Sequence, residues 1–222
     1  MNMAFLIRTR KQWKDLRHIG SILFERMQGV DFTEFEEPDT GDRREIYPYE
    51  RSSAKLLLPM LKRHHPGSSD AFLDIGCGKG YVLTLVKKNF HFARVAGIEI
   101  SPSLCQTARR NLKKLRLAAE VFNAKAEDFD EYDNYNYFYM FNPCATTLIV
   151  RIAQRVADSL RRVPRTAYLL YSHPETTEPW EKFSESAEQI DGVIDGYSHR
   201  LVCFKLSPEK LAGGVSSQET CI

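Results

Sequence analysis

Three glycines at alternate positions, close to two acidic residues, are the part of this sequence whose chemistry is clearest. Residues 72–80 read FLDIGCGKG, a short apolar run that favours a buried strand, followed by Gly76, Gly78 and Gly80. A helical pattern of apolar residues comes next. Because glycine has no Cβ, a ligand can lie against such a turn and near the amide donors of the helix start, as nucleotides do. A second predicted strand ends at Glu99, whose carboxylate can accept hydrogen bonds from two ribose hydroxyls.

The spacing of the glycines narrows the choice of nucleotide. Dinucleotide-binding proteins use G-x-G-x-x-G to seat a pyrophosphate, and here the third glycine comes one residue too early. A P-loop is excluded as well, because Gly80 stands where that motif has Ser or Thr and Leu73 stands in place of its first glycine. Asp74 would repel a polyphosphate but attract a cation such as an α-ammonium group. A ligand with an amino-acid end, a ribose and no phosphate is S-adenosylmethionine.

The order and spacing of four motifs resemble those of the class I S-adenosylmethionine-dependent methyltransferases. DIGCGKG at 74–80 is similar to their D-x-G-x-G-x-G motif, and Glu99 matches their acidic residue after the second strand. AKAEDF at 124–129 is similar to their adenine-binding turn, and FNP at 141–143 resembles their fourth motif. The resemblance covers roughly residues 45–206. It implies that S-adenosylmethionine is bound by Asp74, Gly76, Cys77, Gly78, Gly80, Glu99 and, at the adenine, Glu127 or the backbone amide of Ala126.

Alternating strand and helix patterns predict the fold. Strands are expected near 71–75, 94–99, 119–123, 136–141 and 166–172, and helices near 52–64, 80–89, 102–116 and 146–162. Such an alternation predicts an α/β fold with a doubly wound sheet. The family adds a last antiparallel strand, here 200–206, beside a short one around 186–194. We therefore expect a mostly parallel seven-stranded sheet with helices on both faces.

Composition divides the chain into three parts. Residues 1–45 are expected to combine a basic helix, up to about residue 28, with an acidic linker. Residues 46–206 are expected to form the methyltransferase domain. The Gly- and Ser-rich residues 207–222 are expected to be disordered. The basic helix has an apolar face and is poor in serine, which favours an accessory helix packed on the domain over a mitochondrial targeting signal.

Other features of the composition limit the partners and the compartment. No run of about 18 apolar residues predicts a membrane span. The five cysteines form no C-x-x-C pair and no zinc pattern, so we expect reduced thiols, no metal and a cytoplasmic location. The net charge of +2 gives no reason to expect a nucleic-acid partner.

Asn142 and Pro143 are the strongest catalytic candidates. Methyl transfer requires a lone pair near the sulfonium carbon and in line with the leaving sulfur. In the amino-methylating members of the family, an N-P-P-aromatic motif follows the fourth strand, and its Asn side chain and proline carbonyl accept the hydrogens of the amine. This chain keeps Asn142 and Pro143 but continues with Cys144 and Ala145. The alternative interpretation of this pair is a turn that ends a strand.

Two further groups are candidates on either side of the domain. Tyr47, Tyr49 and Glu50 precede the first helix of the domain, where similar methyltransferases form one wall of the substrate pocket. A Pro-bounded helix entry explains the same residues equally well. His173 follows the fifth strand and is a candidate general base, although histidines at strand ends are more often structural.

The predicted function is methyl transfer from S-adenosylmethionine to a nitrogen of a protein side chain or a small amine. The alternatives are a non-catalytic S-adenosylmethionine-binding subunit that stabilises a partner, a nucleic-acid methyltransferase, an aminopropyl transferase and a nicotinamide-dependent oxidoreductase. The glycine spacing argues against the oxidoreductase. The acceptor and the oligomeric state are left open by the sequence, because the fold positions many nucleophiles equally well.

Overall fold

The computed structural model describes residues 20–34, 49, 51–194 and 196–212. The predictions for Tyr47, Glu50, residues 1–19 and residues 213–222 lie outside the described residues. Within them, residues 20–28 are helical (α1), as predicted for the end of the basic segment. None of the described helices combines enough length and apolar character to cross a membrane.

Seven strands form one sheet in the order β3-β2-β1-β4-β5-β7-β6. The strands are β1 (Ala71–Ile75), β2 (Arg94–Glu99), β3 (Glu120–Asn123), β4 (Tyr137–Phe141), β5 (Ala167–Ser172), β6 (Ser184–Ile194) and β7 (Tyr197–Leu206). The first five pair in parallel, whereas β7 pairs antiparallel with both β5 and β6. The seven-stranded α/β sheet is confirmed. It is a mixed sheet, so parallel pairing describes its five-stranded part and not the hairpin edge.

The helices follow the predicted alternation. They are α2 (Ala54–Arg63), α3 (Tyr81–Asn89), α4 (Pro102–Lys114), α5 (Thr146–Arg162) and two short ones, α6 (Glu178–Glu181) and α7 (Pro208–Ala212). Alternate residues of β1 enter different cores: Phe72 packs with α2 and α3 on one face, and Leu73 packs with α5 on the other. Each fully buried side chain of this kind contributes about 2 kcal/mol through the hydrophobic effect.

The chain differs from the prediction in two places near its C-terminal end. β6 has 11 residues and is not the short strand that was expected. The prediction of disorder from residue 207 onward is wrong for its first residues, because Pro208–Ala212 form α7. Ser207 starts this helix by accepting the amide hydrogen of Glu209, and Leu211 is buried in the α5 core. The mostly polar composition of this segment gave no sign that one leucine, Leu211, would be buried and would hold the helix against the core.

The topology brings the candidate residues to one edge of the sheet. Parallel strands present their carboxyl ends together, so the segments after β1, β2, β4 and β5 meet there. The β6–β7 hairpin turns at the same edge, because Ile194 pairs with Tyr197 while Leu201 pairs with Ser172 at the end of β5. The hairpin can therefore contribute side chains to the same site.

Candidate active site

A cavity of about 1220 Å³ opens at the carboxyl edge of the sheet. It is lined by most of the predicted site residues that the structure describes: Tyr49, Asp74, Gly76, Cys77, Gly78, Glu99, Ala126, Glu127, Asn142, Pro143 and His173. We refer to it as the cofactor cavity. Its walls come from five strand ends, the segment before α2 and the β6–β7 hairpin.

The glycine turn touches its neighbours so closely that side chains would not fit. Gly76 and Gly78 have φ angles of +80° and +50°, in the left-handed region. A Cβ on Gly76 would lie 2.9 Å from the Cβ of Pro143. A Cβ on Gly78 would lie 2.3 Å from the ring of Tyr49. The turn is thus pressed between the end of β4 and the segment before α2.

Gly80, the third glycine of the turn, lies at the start of α3 and outside the lining of the cofactor cavity. It does not line the cavity but caps the start of α3, with φ of +78° and its amide donating to the carbonyl of Cys77. A Cβ there would lie 3.2 Å from the Cβ of Ala108 on α4. Gly80 therefore shapes the turn and allows two helices to approach, and its assignment to the cofactor stays a prediction.

Glu99 is held rigidly at the end of β2. Its two carboxylate oxygens accept the backbone amides of Gly78 and Ser101, each at 2.9 Å, and its side chain lines the cofactor cavity. A carboxylate can accept about four hydrogen bonds, which is the kind of acceptor that ribose hydroxyls need. The assignment of Glu99 to the ribose stays a prediction. It requires a carboxylate held in place at the cavity, which is how Glu99 lies here.

Asp74 places a second carboxylate within the same cavity wall. The side chain is only 2% exposed, and burial, followed by the negative charge of Glu99, raises its pKa well above the usual value. Burial and the same two carboxylates also raise the pKa of the Cys77 thiol, which keeps that thiol protonated. A cationic ligand would relieve the repulsion between Asp74 and Glu99, as the α-ammonium and sulfonium groups of S-adenosylmethionine would.

Lys79 is a structural residue that the sequence prediction missed. Its ammonium is buried and donates to the Asp31 carboxylate at 2.6 Å and to the Glu34 carbonyl at 2.8 Å. Asn111 on α4 donates to the carbonyls of both Asp31 and Lys79. Residues 29–34, which we call the strap, are fastened in this way to the glycine turn. The sequence signal was a lysine inside a buried glycine turn, where an unpaired charge is costly.

Tyr49 connects the strap to the cofactor cavity. Its hydroxyl donates to the Phe32 carbonyl at 2.7 Å, and burial raises the pKa of that hydroxyl well above its usual value. Glu25 holds the other side of the strap by accepting the amides of Phe32 and Thr33 and the guanidinium of Arg51. The ring of Tyr49 thus forms a fixed wall over the glycine turn.

The predicted adenine turn also reaches the cavity. Ala126 and Glu127 belong to a single 3₁₀ turn, Ala126–Asp128, and both line the cofactor cavity. The turn is held from below by Tyr132, whose hydroxyl donates to the Ala126 carbonyl at 2.9 Å. Both residues therefore line the cavity, and their contacts with the adenine stay predictions.

Asn142 stands where β4 leaves the sheet. Its φ is +33°, an uncommon value for a residue other than glycine, and its amide donates to the Ser172 carbonyl. The side-chain oxygen is buried and has no hydrogen-bond partner among the described residues. Asn142 and Pro143 line the cavity together, so this buried acceptor belongs to a residue of the cavity wall.

His173 also adopts a left-handed backbone, with φ of +49°, directly after β5. Its Nε2 lies 2.8 Å from Nδ1 of His199, and its amide donates to the Arg200 carbonyl. His199 was missed by the sequence prediction, because only the pairing of β5 with β7 brings it there. Among the described residues, no group of three or more His, Cys, Asp or Glu side chains is placed to hold a metal ion.

Comparisons with known proteins identify a methyltransferase domain in the part of the chain that forms this cavity. Residues 72–165 match the family model described as a methyltransferase domain. A protein-lysine N-methyltransferase of Saccharolobus islandicus is 20% identical over 165 residues, which cover 73% of this chain and 96% of that protein. An uncharacterized methyltransferase of Schizosaccharomyces pombe is 31% identical over 125 residues, and the match covers 53% of this chain and 46% of that protein.

A solved structure has the same fold. The RNA methyltransferase of Salinibacter ruber, in complex with S-adenosyl-L-homocysteine, superposes with a TM-score of 0.53 at 15% identity, covering 77% of this chain and 98% of that one. The family model spans Gly76, Gly78, Glu99 and Asn142, and all four of these residues line the cofactor cavity here. The chain therefore carries a methyltransferase domain with S-adenosylmethionine as its cofactor, and its fold is that of the class I S-adenosylmethionine-dependent methyltransferases.

Proposed function

We propose that the acceptor of the methyl group is an amine nitrogen, in a protein side chain or in a small molecule. The observation that carries this proposal is the buried side-chain oxygen of Asn142, which has no partner among the described residues. A buried acceptor without a donor costs about 1–3 kcal/mol. The N–H of an amine bound in the cavity would remove that cost, whereas a carboxylate acceptor would offer no hydrogen.

The geometry suggests how the amine would be oriented. An amine that donates one N–H to Asn142 and another to the carbonyl of Pro143 turns its lone pair away from both and toward the cofactor. The lone pair then attacks the methyl carbon while the carbon–sulfur bond breaks and its electron pair stays on sulfur, giving S-adenosylhomocysteine. Holding the two atoms in line accounts for most of the acceleration that such a site needs to provide.

The cofactor-binding roles follow from the same cavity. In this proposal Asp74 lies near the α-ammonium group, the backbone of the glycine turn lies along the amino-acid part, and Glu99 accepts the ribose hydroxyls. Glu127 or the amide of Ala126 binds the adenine edge. Tyr49 covers the ligand and forms one wall of the acceptor pocket, as its position over Gly78 suggests.

One of the relatives supports a protein acceptor. The Saccharolobus relative is a protein-lysine N-methyltransferase, and the alignment covers almost all of that protein. The likeness to the RNA methyltransferase is one of fold and gives no information about the acceptor. A lysine side chain is therefore the first acceptor to examine.

The experiment is a transfer assay with S-adenosylmethionine labelled in its methyl group. The panel contains lysine peptides, arginine peptides, polyamines and short RNA, and the wild type is compared with Asn142→Ala. We expect label on an amine of the panel and a fall of about 100-fold in kcat for Asn142→Ala, with the affinity for S-adenosylhomocysteine nearly unchanged. Asn134→Ala removes an exposed asparagine far from the cavity and serves as the control.

Label on RNA alone, or a fully active Asn142→Ala enzyme, would contradict the proposal. Binding of the cofactor without transfer to any member of the panel would instead favour a non-catalytic subunit. Release of methylthioadenosine in place of S-adenosylhomocysteine would indicate aminopropyl transfer.

A further inference from the structure

One side of α1 presents large apolar side chains to solvent. Leu23, Phe24 and Met27 are 56%, 61% and 87% exposed, and Leu23 and Met27 lie one helical turn apart on the same side. Glu25, about 200° around the helix from Leu23, is buried and accepts two amides of the strap. The helix thus meets the domain through a carboxylate and turns its larger apolar side chains outward, the reverse of an ordinary surface helix. Packing within the domain does not explain this arrangement.

The exposed side of α4 is cationic. Six residues of this helix are exposed, and four of them are cations: Arg109, Arg110, Lys113 and Lys114. Arg116 adds a fifth exposed cation just beyond the helix. The sequence contains no acid between Glu99 and Glu120, so α4 has no carboxylate of its own to offset this charge. The side of α4 that faces solvent is therefore strongly positive.

Two ordinary explanations account for only part of this charge. Several arginines elsewhere bind a carboxylate, as Arg155 binds Asp130, whereas none of the five cations forms an ion pair with a residue that the structure describes. The dipole of α4 favours cations in its last turn, which explains the two lysines. The two arginines of α4 precede that turn, so the dipole does not account for them.

The two helices belong to one surface. Gly29 follows α1, and a Cβ there would lie 3.6 Å from the side chain of Lys114 on α4. The acids of the strap beside this contact already have cations of their own: Asp31 pairs with Lys79 and Glu34 with Arg26. The chain directly before α1 adds charge of the same sign as α4, since residues 8–17 contain five Lys or Arg and one acid. We refer to α1 and the exposed side of α4 together as the α1–α4 surface.

We propose that the α1–α4 surface docks on an anionic membrane, with the apolar side of α1 in the headgroup region and the cations of α4 on the lipid phosphates. The proposal goes beyond the proposed function and does not depend on it. Peripheral binding of this kind uses both signals, because the insertion of apolar side chains and the attraction of cations to anionic lipids add in free energy. A nucleic acid would engage the cations and leave the three apolar side chains of α1 in water. A lipid surface is the partner that uses both sets of exposed groups.

The test measures how much of the full chain sediments with lipid vesicles. Two compositions are compared, phosphatidylcholine alone and phosphatidylcholine with about 30% phosphatidylserine, which supplies the negative charge. We expect binding to the anionic vesicles to be at least about 10-fold tighter than binding to the neutral ones. It should weaken as the salt concentration rises from about 0.1 M to about 0.5 M, because salt screens the attraction between the charges.

A pair of double variants assigns the charge attraction to α4. Arg110→Gln with Lys113→Gln removes two of its cations. The matched control, Arg151→Gln with Lys210→Gln, removes two exposed cations on the α5 side of the sheet. Each cation near an anionic surface contributes about 5-fold to the binding constant, so the α4 variant should bind the anionic vesicles about 30-fold more weakly than the wild type. The control variant should bind them about as well as the wild type does.

A second pair of double variants tests the apolar side of α1. Phe24→Ser with Met27→Ser should weaken binding to the anionic vesicles by about 10-fold, because less apolar surface enters the headgroup region. Its control, Val150→Ser with Val163→Ser, changes apolar side chains of similar exposure on and just after α5. The single variant Phe24→Trp should report insertion directly, through emission that shifts to the blue with anionic vesicles. All these surface variants should keep their affinity for S-adenosylhomocysteine within about 2-fold, which shows that they are folded.

The proposal is overturned if the anionic vesicles retain no more of the wild type than the neutral ones. It is also wrong if the α1 and α4 variants bind as the wild type does, because another part of the chain would then hold the lipid. A third contrary result would be binding of a short RNA duplex to the wild type and not to the α4 variant, without any binding to vesicles. The cations of α4 would then serve a nucleic acid.

Discussion

The two ends of the cofactor cavity are built on different physical principles. At the glycine turn, two charged side chains are already paired: Glu99 accepts two backbone amides, and Lys79 donates to Asp31 and Glu34. At the other end, the side-chain oxygen of Asn142 has no partner among the described residues. Asn142 also carries backbone strain that the glycines of the turn avoid.

This difference separates binding from chemistry. A site whose polar groups are already satisfied is rigid, and a ligand gains affinity there by meeting a preformed surface. A site with an unsatisfied acceptor and strained backbone is stabilised only when the reacting group arrives. Substitutions at the first end should therefore change cofactor affinity, and those at the second should change turnover.

The largest effect is expected from Gly78→Ala. The new Cβ would lie 2.3 Å from the buried ring of Tyr49, and φ of +50° is strained for alanine. We expect the affinity for S-adenosylmethionine, measured by calorimetry, to fall by about 100-fold, since strain and a displaced aromatic wall together cost about 3 kcal/mol.

A second glycine and a double variant separate the two causes. Gly67→Ala is the control, because a Cβ there meets nothing closer than 3.8 Å. In a Tyr49→Ala background, Gly78→Ala should cost much less if the clash dominates. An equal cost in both backgrounds would assign the loss to backbone strain, and unchanged affinity would mean that this turn does not bind the cofactor.

Asp74→Asn should weaken the binding of S-adenosylmethionine by about 10-fold near neutral pH, because a charged partner of the ammonium is lost. Burial raises the pKa of Asp74, and a cationic ligand binds its ionised form. The affinity of the wild type should therefore rise with pH through the pKa of Asp74, and protons should be released on binding. Asp74→Asn should abolish that part of the pH dependence, which calorimetry in buffers of different ionisation enthalpy measures.

The same substitution should affect stability in the opposite direction. A carboxyl whose pKa is higher in the folded than in the unfolded state stabilises the fold below the unfolded pKa, and that stability is lost as pH rises through the folded pKa. Near neutral pH, Asp74→Asn should thus raise the free energy of unfolding of the ligand-free protein by about 1 kcal/mol. Urea unfolding that shows a less stable variant would contradict this account of Asp74.

The cofactor end could be predicted from the sequence because its signal is local. Asp74, the three glycines and Glu99 lie within 26 residues, and their spacing follows from one strand, one turn and one helix. The strand and helix positions were confirmed for the same reason, since their periodicity is contained in each segment. Even there, the sequence did not show that Gly80 packs against α4, because this contact depends on where α4 lies in the fold.

The remaining residues of the site come from distant pairings that no local pattern shows. His173 and His199 are 26 residues apart, and only the register of β5 with β7 joins them. Lys79 and Asp31 are 48 residues apart. The sequence prediction used Lys79 only to exclude a P-loop, although a lysine in a buried turn needs a partner somewhere in the chain.

The smallest effect on cofactor affinity is expected from Lys79→Met, which tests whether the strap belongs to the binding end. The substitution leaves Asp31 without its cation and frees the strap from the glycine turn. Breaking a buried ion pair costs about 3–5 kcal/mol, and because Asp31 is 23% exposed we expect a loss of about 2 kcal/mol in the free energy of unfolding. Lys88→Met on the exposed side of α3 is the control.

The affinity for S-adenosylhomocysteine should fall by only about 3-fold in Lys79→Met, because Tyr49 keeps its other contacts while the strap must be ordered again on binding. A stability loss with unchanged affinity would show that the strap supports the fold and not the ligand. A large fall in kcat at unchanged affinity would be the more informative failure. It would mean that the strap reaches across the cavity to the acceptor, so that the two ends of the site are not independent.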